Sequence, residues 1–256
     1  MPDSQDIAIV TGAGSPEGIG AATALLLGGA GMRVVVTSTT DRIQERVADL
    51  RSAGIDARGV AADLTDPRGG EAVLETTRRA FGEPTVLINN AGMTSVSSVD
   101  SPAAIDDITF EQWTLSLDRN LTTAMRMTRA VVPAMRAAGY GRVVNVASLS
   151  GPVMAYRGDV AYHAAKAGML GLTRGAAVDV AAAGITVNAV APGWIATSSS
   201  SAHEIAMGAA TPVGRSGTPS EVAAVVAFLA GRDASYITGQ LVVVDGANSL
   251  NEERGT

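Results

Sequence analysis

Two kinds of hydrophobic pattern alternate from one end of this chain to the other. Short runs rich in Val, Ile and Ala fall at 6–11, 33–38, 56–61, 85–89, 142–147, 185–190 and 241–244. Runs of that length without polar alternation predict strands buried on both faces. Between them, longer stretches at about 18–30, 41–53, 67–81, 110–137, 160–183 and 219–231 carry the spacing of helices. Buried strands separated by helices predict an α/β protein, a doubly wound parallel sheet with helices on both faces. No Pro/Ser-rich linker or shift of composition interrupts the rhythm, so residues 1–248 are expected to form a single domain, with a polar tail over 249–256. Two stretches, Met93 to Ile108 and Trp194 to Ala210, break the pattern. Each follows a predicted strand, which places it above the carboxyl edge of the sheet, where open α/β folds bind ligands.

Composition narrows the chemistry. Of 256 residues 46% are hydrophobic and only 4% aromatic, which suits closely packed helices on buried strands more than a sandwich of large side chains. The net charge of −6 sets a repulsive average field against nucleic acid, and no Lys/Arg run forms a basic groove. There is no cysteine and there are two histidines far apart in sequence, so no disulfide framework or thiolate metal site is possible and metal catalysis is not expected. The N-terminal residues carry no basic segment ahead of their apolar run, and no uncharged stretch approaches the roughly 20 residues that span a bilayer. A soluble, cytoplasmic protein with no membrane partner is the expectation.

The first strand runs into "TGAGSPEGIG", residues 11–20, and then into a helix. Glycines let a backbone turn sharply and approach a pyrophosphate, whose charge then lies against the N-terminus of the following helix. Gly12, Gly14, Gly18 and Gly20 are spaced for that work, with Ser15 and Ile19 among them. The second strand ends in "TSTTDR" and shows no carboxylate at Thr37, Ser38 or Thr39. An acidic residue there would hold a ribose 2′-hydroxyl, whereas hydroxyls or an arginine accommodate a 2′-phosphate. Ser38, Thr39 and Arg42 therefore favour NADP(H), with NAD(H) possible because Glu17 and Asp41 are close in sequence.

A second signal is "YHAAK", residues 162–166. On a helix Tyr162 and Lys166 share a face. An exposed pair of this kind is ordinary, so the spacing by itself leaves a surface role open. Its neighbours change the reading. "TGAGSPEGIG", "AADLTD" at 61–66, "NNAG" at 89–92, "RNLTTA" at 119–124, "VNVASLSG" at 144–151, "YHAAK", "APGWIAT" at 191–197 and "ASYITGQLVVVDGA" at 234–247 occur in that order. Over nearly its whole length the chain resembles the single-domain short-chain dehydrogenase/reductase family, most of all its 3-oxoacyl-carrier-protein reductases and related ketoreductases.

The resemblance implies a Rossmann-type sheet and hydride transfer between a nicotinamide cofactor and a ketone or secondary alcohol. It makes Tyr162 the general acid/base, Lys166 its partner and a holder of the nicotinamide ribose, and Ser148 and Asn120 the rest of the catalytic set. The chemistry is reasonable on independent grounds. Hydride addition to a ketone leaves an alkoxide that needs a proton, and a phenol can supply it. An unperturbed tyrosine has a pKa of about 10, which a nearby ammonium would lower. Ser148 would hydrogen-bond the substrate oxygen, with Ser150 as the rival. Asn120 would fix a water on a proton path, or otherwise simply kink its helix. Asp63 and Leu64 would flank the adenine, Asn90, Ala91 and Gly92 line the cofactor, and Pro192, Gly193, Ile195 and Thr197 meet its carboxamide end. Asp63 could alternatively be a helix cap, and Pro-Gly an ordinary turn.

Met93, Met154, Tyr156, Trp194 and Met207 fall in loops above the sheet and suggest an apolar pocket for a bulky ketone or alcohol, or else the packing of a lid. His163 and His203 match no position of the family pattern and are expected to pack or face solvent. A carrier-protein partner would need a basic patch, for which Arg126, Arg129, Arg136 and Arg174 are candidates. The helix 220–231 is apolar on more than one face, and the resemblance implies a homotetramer assembled through it. Rival activities are an NAD-dependent sugar-alcohol, steroid or terpene-alcohol dehydrogenase, and a non-catalytic dinucleotide-binding regulator. The glycine loop is two residues longer than the family's commonest form, one extra residue separates Ser148 from Tyr162, the segment between Gly92 and Trp113 is longer, and Ala247 stands where a second glycine is usual.

Overall fold

The computed structural model of the chain describes residues 6–92, 102–198 and 200–252. Its centre is a seven-stranded sheet formed by β1 (Ile7–Val10), β2 (Arg33–Ser38), β3 (Ala57–Ala61), β4 (Val86–Asn89), β5 (Gly141–Val146), β6 (Ile185–Pro192) and β7 (Leu241–Val244). The spatial order is β3-β2-β1-β4-β5-β6-β7, and every neighbouring pair is parallel. Each strand coincides with a predicted run to within two residues. Alternate residues explain why those runs carry apolar residues on both faces. Val10, Val36 and Val144 enter one core layer with α1 (Ile19–Gly29), α2 (Ile43–Ser52) and α8 (Pro219–Ala230). Ile9, Val35, Leu87 and Val143 enter the other with α3 (Pro67–Ala80), α5 (Thr123–Ala138) and α6 (Val160–Val180).

The structure departs from the sequence expectation in two places. The single helix expected over 110–137 is α4 (Phe110–Leu117) and α5 joined by a π turn, Asp118–Thr122, in which the Thr123 N–H reaches the Asp118 carbonyl five residues back. The apolar spacing runs through the joint, so periodicity gave no warning of it. The irregular stretch 194–210 contains α7 (Ala202–Ala209), opened by a capping box between Ser201 and Glu204. Its eight residues are too few for a periodic signal.

Strand β1 is flanked by β2 on one side and β4 on the other, so the chain leaves the carboxyl edge in opposite directions at this point. That divergence opens a crevice above β1 and β4. Among the described residues no helix is long and apolar enough to cross a membrane, and no His, Cys, Asp and Glu cluster could hold a metal ion.

Candidate active site

The crevice is built by close backbone contact. Thr11 Oγ1, at the end of β1, donates to the Ile88 carbonyl and accepts the Asn90 and Ala91 N–H groups, both at 3.0 Å. Asn90 returns the contact, its Nδ2 donating to the carbonyls of Thr11 at 3.0 Å and Gly12 at 2.9 Å. Gly12 has φ +67°, and a Cβ there would lie 2.7 Å from Ala91 Cα. A Cβ on Gly20 would lie 2.6 Å from Asn90 Nδ2 and 2.8 Å from the Gly12 carbonyl oxygen. Both positions therefore require glycine for α1 to start against the sheet edge. Gly18 caps α1 without a side-chain hydrogen bond, and no acidic residue occupies the first turn. The first amides of α1, beginning at Ile19, are thus left for an anion such as a pyrophosphate.

A cleft of about 400 Å³ follows, lined by Gly12, Gly14, Ser15, Ser38, Thr39, Arg42, Asp63, Leu64, Asn90, Ala91 and Gly92. Gly14 lets the end of β2 close in: a Cβ on it would meet Ser38 Cβ at 2.8 Å and Arg42 Nη2 at 3.5 Å. Hydroxyls and a guanidinium, with no carboxylate at the tip of β2, suit a 2′-phosphate. Asp63 Oδ1 is engaged by the Thr65 N–H and hydroxyl at 2.9 and 2.7 Å, which fixes the loop after β3 as an Asx turn. The donors and the glycine cradle fit a dinucleotide. Gly18 itself faces a neighbouring hollow shared with Pro16, Glu17 and Ala196. Pro192 ends β6, Gly193 donates to the Val244 carbonyl at 3.0 Å, Ile195 bridges to Gly217 and the Thr197 N–H is held by Ser200 Oγ at 2.9 Å.

Helix α6 carries the tyrosine and lysine. Asp159 caps it by accepting the Tyr162 N–H at 3.4 Å, so Tyr162 sits in the first turn, at the positive end of the helix dipole. Both side chains are buried, Tyr162 at 7% and Lys166 at 3% exposure, which removes the surface-pair alternative. Lys166 Nζ donates to the Val146 carbonyl at 3.1 Å and lies 5.6 Å from the centroid of the Tyr162 ring. Burial holds its ammonium well below the usual lysine range, at about 8. Asn120 arrives from the other side. A Cβ on Gly92 would meet Asn120 Oδ1 at 2.7 Å and Lys166 Nζ at 3.5 Å, so the amide and the ammonium converge beneath that glycine. Asn120 lies in the π turn, fully buried, its Nδ2 on the Ser116 carbonyl at 3.1 Å. The two expectations for Asn120 are therefore joined, since it sits at the helix irregularity and beside the lysine.

Ser148 Oγ accepts the Ser150 N–H at 3.1 Å, which leaves its own O–H to donate. Ser150 instead pairs with Met154 in an isolated bridge. The serine loop is pressed onto α6 at Gly151, whose φ is +100° and where a Cβ would lie 2.4 Å from the His163 carbonyl oxygen. His163 holds the next stretch: its Nε2 accepts the Tyr156 N–H at 3.0 Å and its Nδ1 lies 2.5 Å from the Asp159 carbonyl oxygen. Tyr156 donates from its hydroxyl to Asp159 Oδ2 at 3.1 Å. Its ring meets that of His163 edge-on at 4.5 Å. His163 is thus half-buried and structural for the rim. Met154 Sδ lies 3.9 Å from Asn248 Nδ2, His203 meets Trp194 edge-on at 6.2 Å, and Met207 is half-buried on α7. Met93 lies outside the described residues.

Sequence reasoning missed a buried polar chain that ties these parts together. Asn89 and Asn145 are register partners on β4 and β5. Asn89 Nδ2 donates to Asn145 Oδ1 at 2.8 Å and to Thr128 Oγ1 on α5 at 3.0 Å, and Asn145 Nδ2 donates to Thr173 Oγ1 on α6 at 2.8 Å. Two asparagines inside otherwise apolar strands were the available signal, because buried amides need partners. Of the candidate arginines, Arg126 donates to the Thr65 carbonyl and Arg136 to that of Asp179, while Arg129 and Arg174 are exposed.

Comparison with known proteins agrees with this geometry. A family model described as "Enoyl-(Acyl carrier protein) reductase" matches residues 12–247. The chain is 38% identical to the 3-oxoacyl-[acyl-carrier-protein] reductase of Vibrio cholerae, over 94% of this chain and 96% of that one. It is 40% identical to a cyclohexanol dehydrogenase of an Acinetobacter species, over 94% of each. A variant of actinorhodin polyketide ketoreductase, solved with NADPH, superposes with a TM-score of 0.88 at 33% identity, covering 98% of this chain and all of that one. The glycine cradle at the switch point and the buried tyrosine and lysine beside it define an NAD(P)-dependent oxidoreductase, and the chain belongs to the short-chain dehydrogenase/reductase family.

Proposed function

We propose that the chain reduces a 3-oxoacyl or other bulky ketone at a site formed by Tyr162, Lys166, Ser148 and Asn120. The observation that carries the assignment of roles is the buried Lys166 ammonium, 5.6 Å from the Tyr162 ring and converging with Asn120 under Gly92 of the cofactor cleft. The bound nicotinamide supplies the hydride. Tyr162 gives its phenolic proton to the alkoxide oxygen, and Ser148, whose Oγ already accepts the Ser150 N–H, donates its O–H to the same oxygen. Lys166 steadies the resulting phenolate by charge, reinforced by the N-terminus of α6. One of its protons is held by the Val146 carbonyl, and the others would be free for the ribose hydroxyls of a bound cofactor and for a water held by Asn120. Pro192, Gly193, Ile195 and Thr197 would hold the carboxamide end of the cofactor.

Met154, Tyr156, Trp194 and Met207 supply apolar surface at the rim, in keeping with a bulky substrate. Arg129, Arg136 and Arg174 are exposed and are the candidates to meet a substrate carried on an acidic protein. We place the protein in the cytoplasm, and we assign it a homotetramer on the exposure of Phe228 on α8, of Tyr236 ahead of β7 and of Val243 on the edge strand β7; a monomer in light scattering at micromolar concentration would count against the assembly. The test of function is a panel of ketones and secondary alcohols with NADPH and NADH. Preferential reduction of bulky ketones with NADPH supports the reading. Turnover confined to alcohol oxidation with NAD would favour the dehydrogenase alternative that the cyclohexanol dehydrogenase likeness keeps in view. Tyr162→Phe should bind NADPH normally and lose 10²- to 10⁴-fold in kcat, within about the range of general acid catalysis; full turnover in that variant would remove the assigned role.

A further inference from the structure

The π turn brings a second residue to the cleft that the catalytic set does not use. Arg119, beside Asn120, is 8% exposed and lines the same cleft as Ser38, Asp63 and Leu64. Its Nη1 is fully buried without a hydrogen-bond partner, and among the described residues it makes no salt bridge. Asp63, the carboxylate of this cleft, is occupied by Thr65. A guanidinium is charged at all working pH values, and burying one without an acceptor is costly. A fold that keeps such a group at the wall of an anion-binding cleft gains from it only when the acceptor arrives with a ligand.

Position indicates which part of the ligand that is. Arg119 lines a cleft that takes in Ser38, Ala62 and Asp63 at the ends of β2 and β3, and whose lining includes neither Tyr162 nor Lys166. Tyr162 and Lys166 stand on the other side of the switch point, at the end of β5, where Lys166 reaches the Val146 carbonyl. The reacting end of the cofactor belongs beside them, so its adenosine end lies over β2 and β3. We propose that Arg119 is a cofactor-binding residue whose guanidinium donates to an acceptor of the adenosine half: a ring nitrogen, a ribose oxygen or the 2′-phosphate. The inference rests on the dinucleotide reading of the cleft.

The test compares wild type with Arg119→Met, which keeps length and apolar stem, and Arg119→Gln as a second variant. Binding of NADPH, adenosine 2′,5′-bisphosphate, AMP and reduced nicotinamide mononucleotide is measured by calorimetry, and apo stability by thermal melting. Both variants should lose about ten- to a hundredfold in affinity for NADPH and the bisphosphate, the range of a charge-assisted hydrogen bond. Both should hold reduced nicotinamide mononucleotide as wild type does, and Arg119→Met should melt no lower than wild type as an apoprotein, because the orphan donor has been removed. An equal loss for AMP places the acceptor on the base or ribose, and a loss confined to the bisphosphate places it on the 2′-phosphate. Unchanged NADPH affinity overturns the proposal. So does a lower apo melting temperature with equal losses for both halves of the cofactor, which is the signature of a structural arginine. If wild type itself binds no dinucleotide, the reading of the cleft has failed and the proposal falls with it.

Discussion

Lys166 lets the cost of the site be measured apart from its chemistry. Its ammonium is buried, and that burial alone moves its pKa from 10.5 to about 8. A lysine depressed in the folded state binds fewer protons there than in the unfolded chain, so it destabilises the fold most below the folded value, and the burden lifts as pH rises toward the unfolded one. Between those two values the charged lysine costs about 3 kcal/mol at pH 7 and about 1 kcal/mol at pH 9.5. Lys166→Met removes that cost but leaves the Val146 carbonyl without its donor, a loss of about 1–3 kcal/mol that does not change with pH. The offset between variant and wild type at pH 7 is therefore small. The informative quantity is its slope: relative to wild type, the variant's unfolding free energy should fall by about 2 kcal/mol between pH 7 and 9.5. Urea unfolding of the two apoproteins at matched concentration, at several pH values across this window, measures it. Curves that stay parallel would mean that the ammonium is not buried in solution, and the electrostatic argument for Tyr162 would lose its foundation.

Other outcomes follow from neighbouring contacts. Gly151→Ala combines φ +100° with a Cβ 2.4 Å from the His163 carbonyl oxygen, so it should cost about 1–3 kcal/mol in urea unfolding and lower kcat by displacing Ser148, while NADPH affinity holds. Ser38→Asp places a carboxylate at the tip of β2 and should shift kcat/KM toward NADH by at least tenfold; an unchanged cofactor ratio would refute the 2′-phosphate assignment. His163→Phe keeps the ring but loses the acceptor for the Tyr156 N–H, and should raise KM for bulky ketones more than it lowers kcat, as steady-state kinetics would show.

The glycine loop was legible because the backbone there demands a specific residue type, whereas Tyr162, Lys166, Ser148 and Asn120 were legible through the family resemblance. Glycines at 12 and 20 could be read from a strand-to-helix turn, and coordinates add only the atoms a Cβ would strike. In the π turn Asn120 was legible only through the family resemblance of "RNLTTA", and the role of Arg119 was not: the two are adjacent letters in a helix-like stretch, and nothing local says that both are buried. Likewise Asn89 and Asn145 are 56 positions apart and become partners only through strand register. The sequence gives His163 no role beyond packing or surface, because its hold on Tyr156 depends on where a loop returns.

By itself the sequence determined the alternation of seven strands with helices, the glycine crossing and the helical spacing of Tyr162 and Lys166, since these depend on local periodicity and local backbone geometry. Tertiary structure decided that the lysine is buried under Gly92 beside Asn120, that the serine loop leans on α6 through Gly151, and that Arg119 meets the cofactor cleft without a partner. Burial and charge pairing are properties of what surrounds a side chain, and those surroundings come from segments distant along the chain.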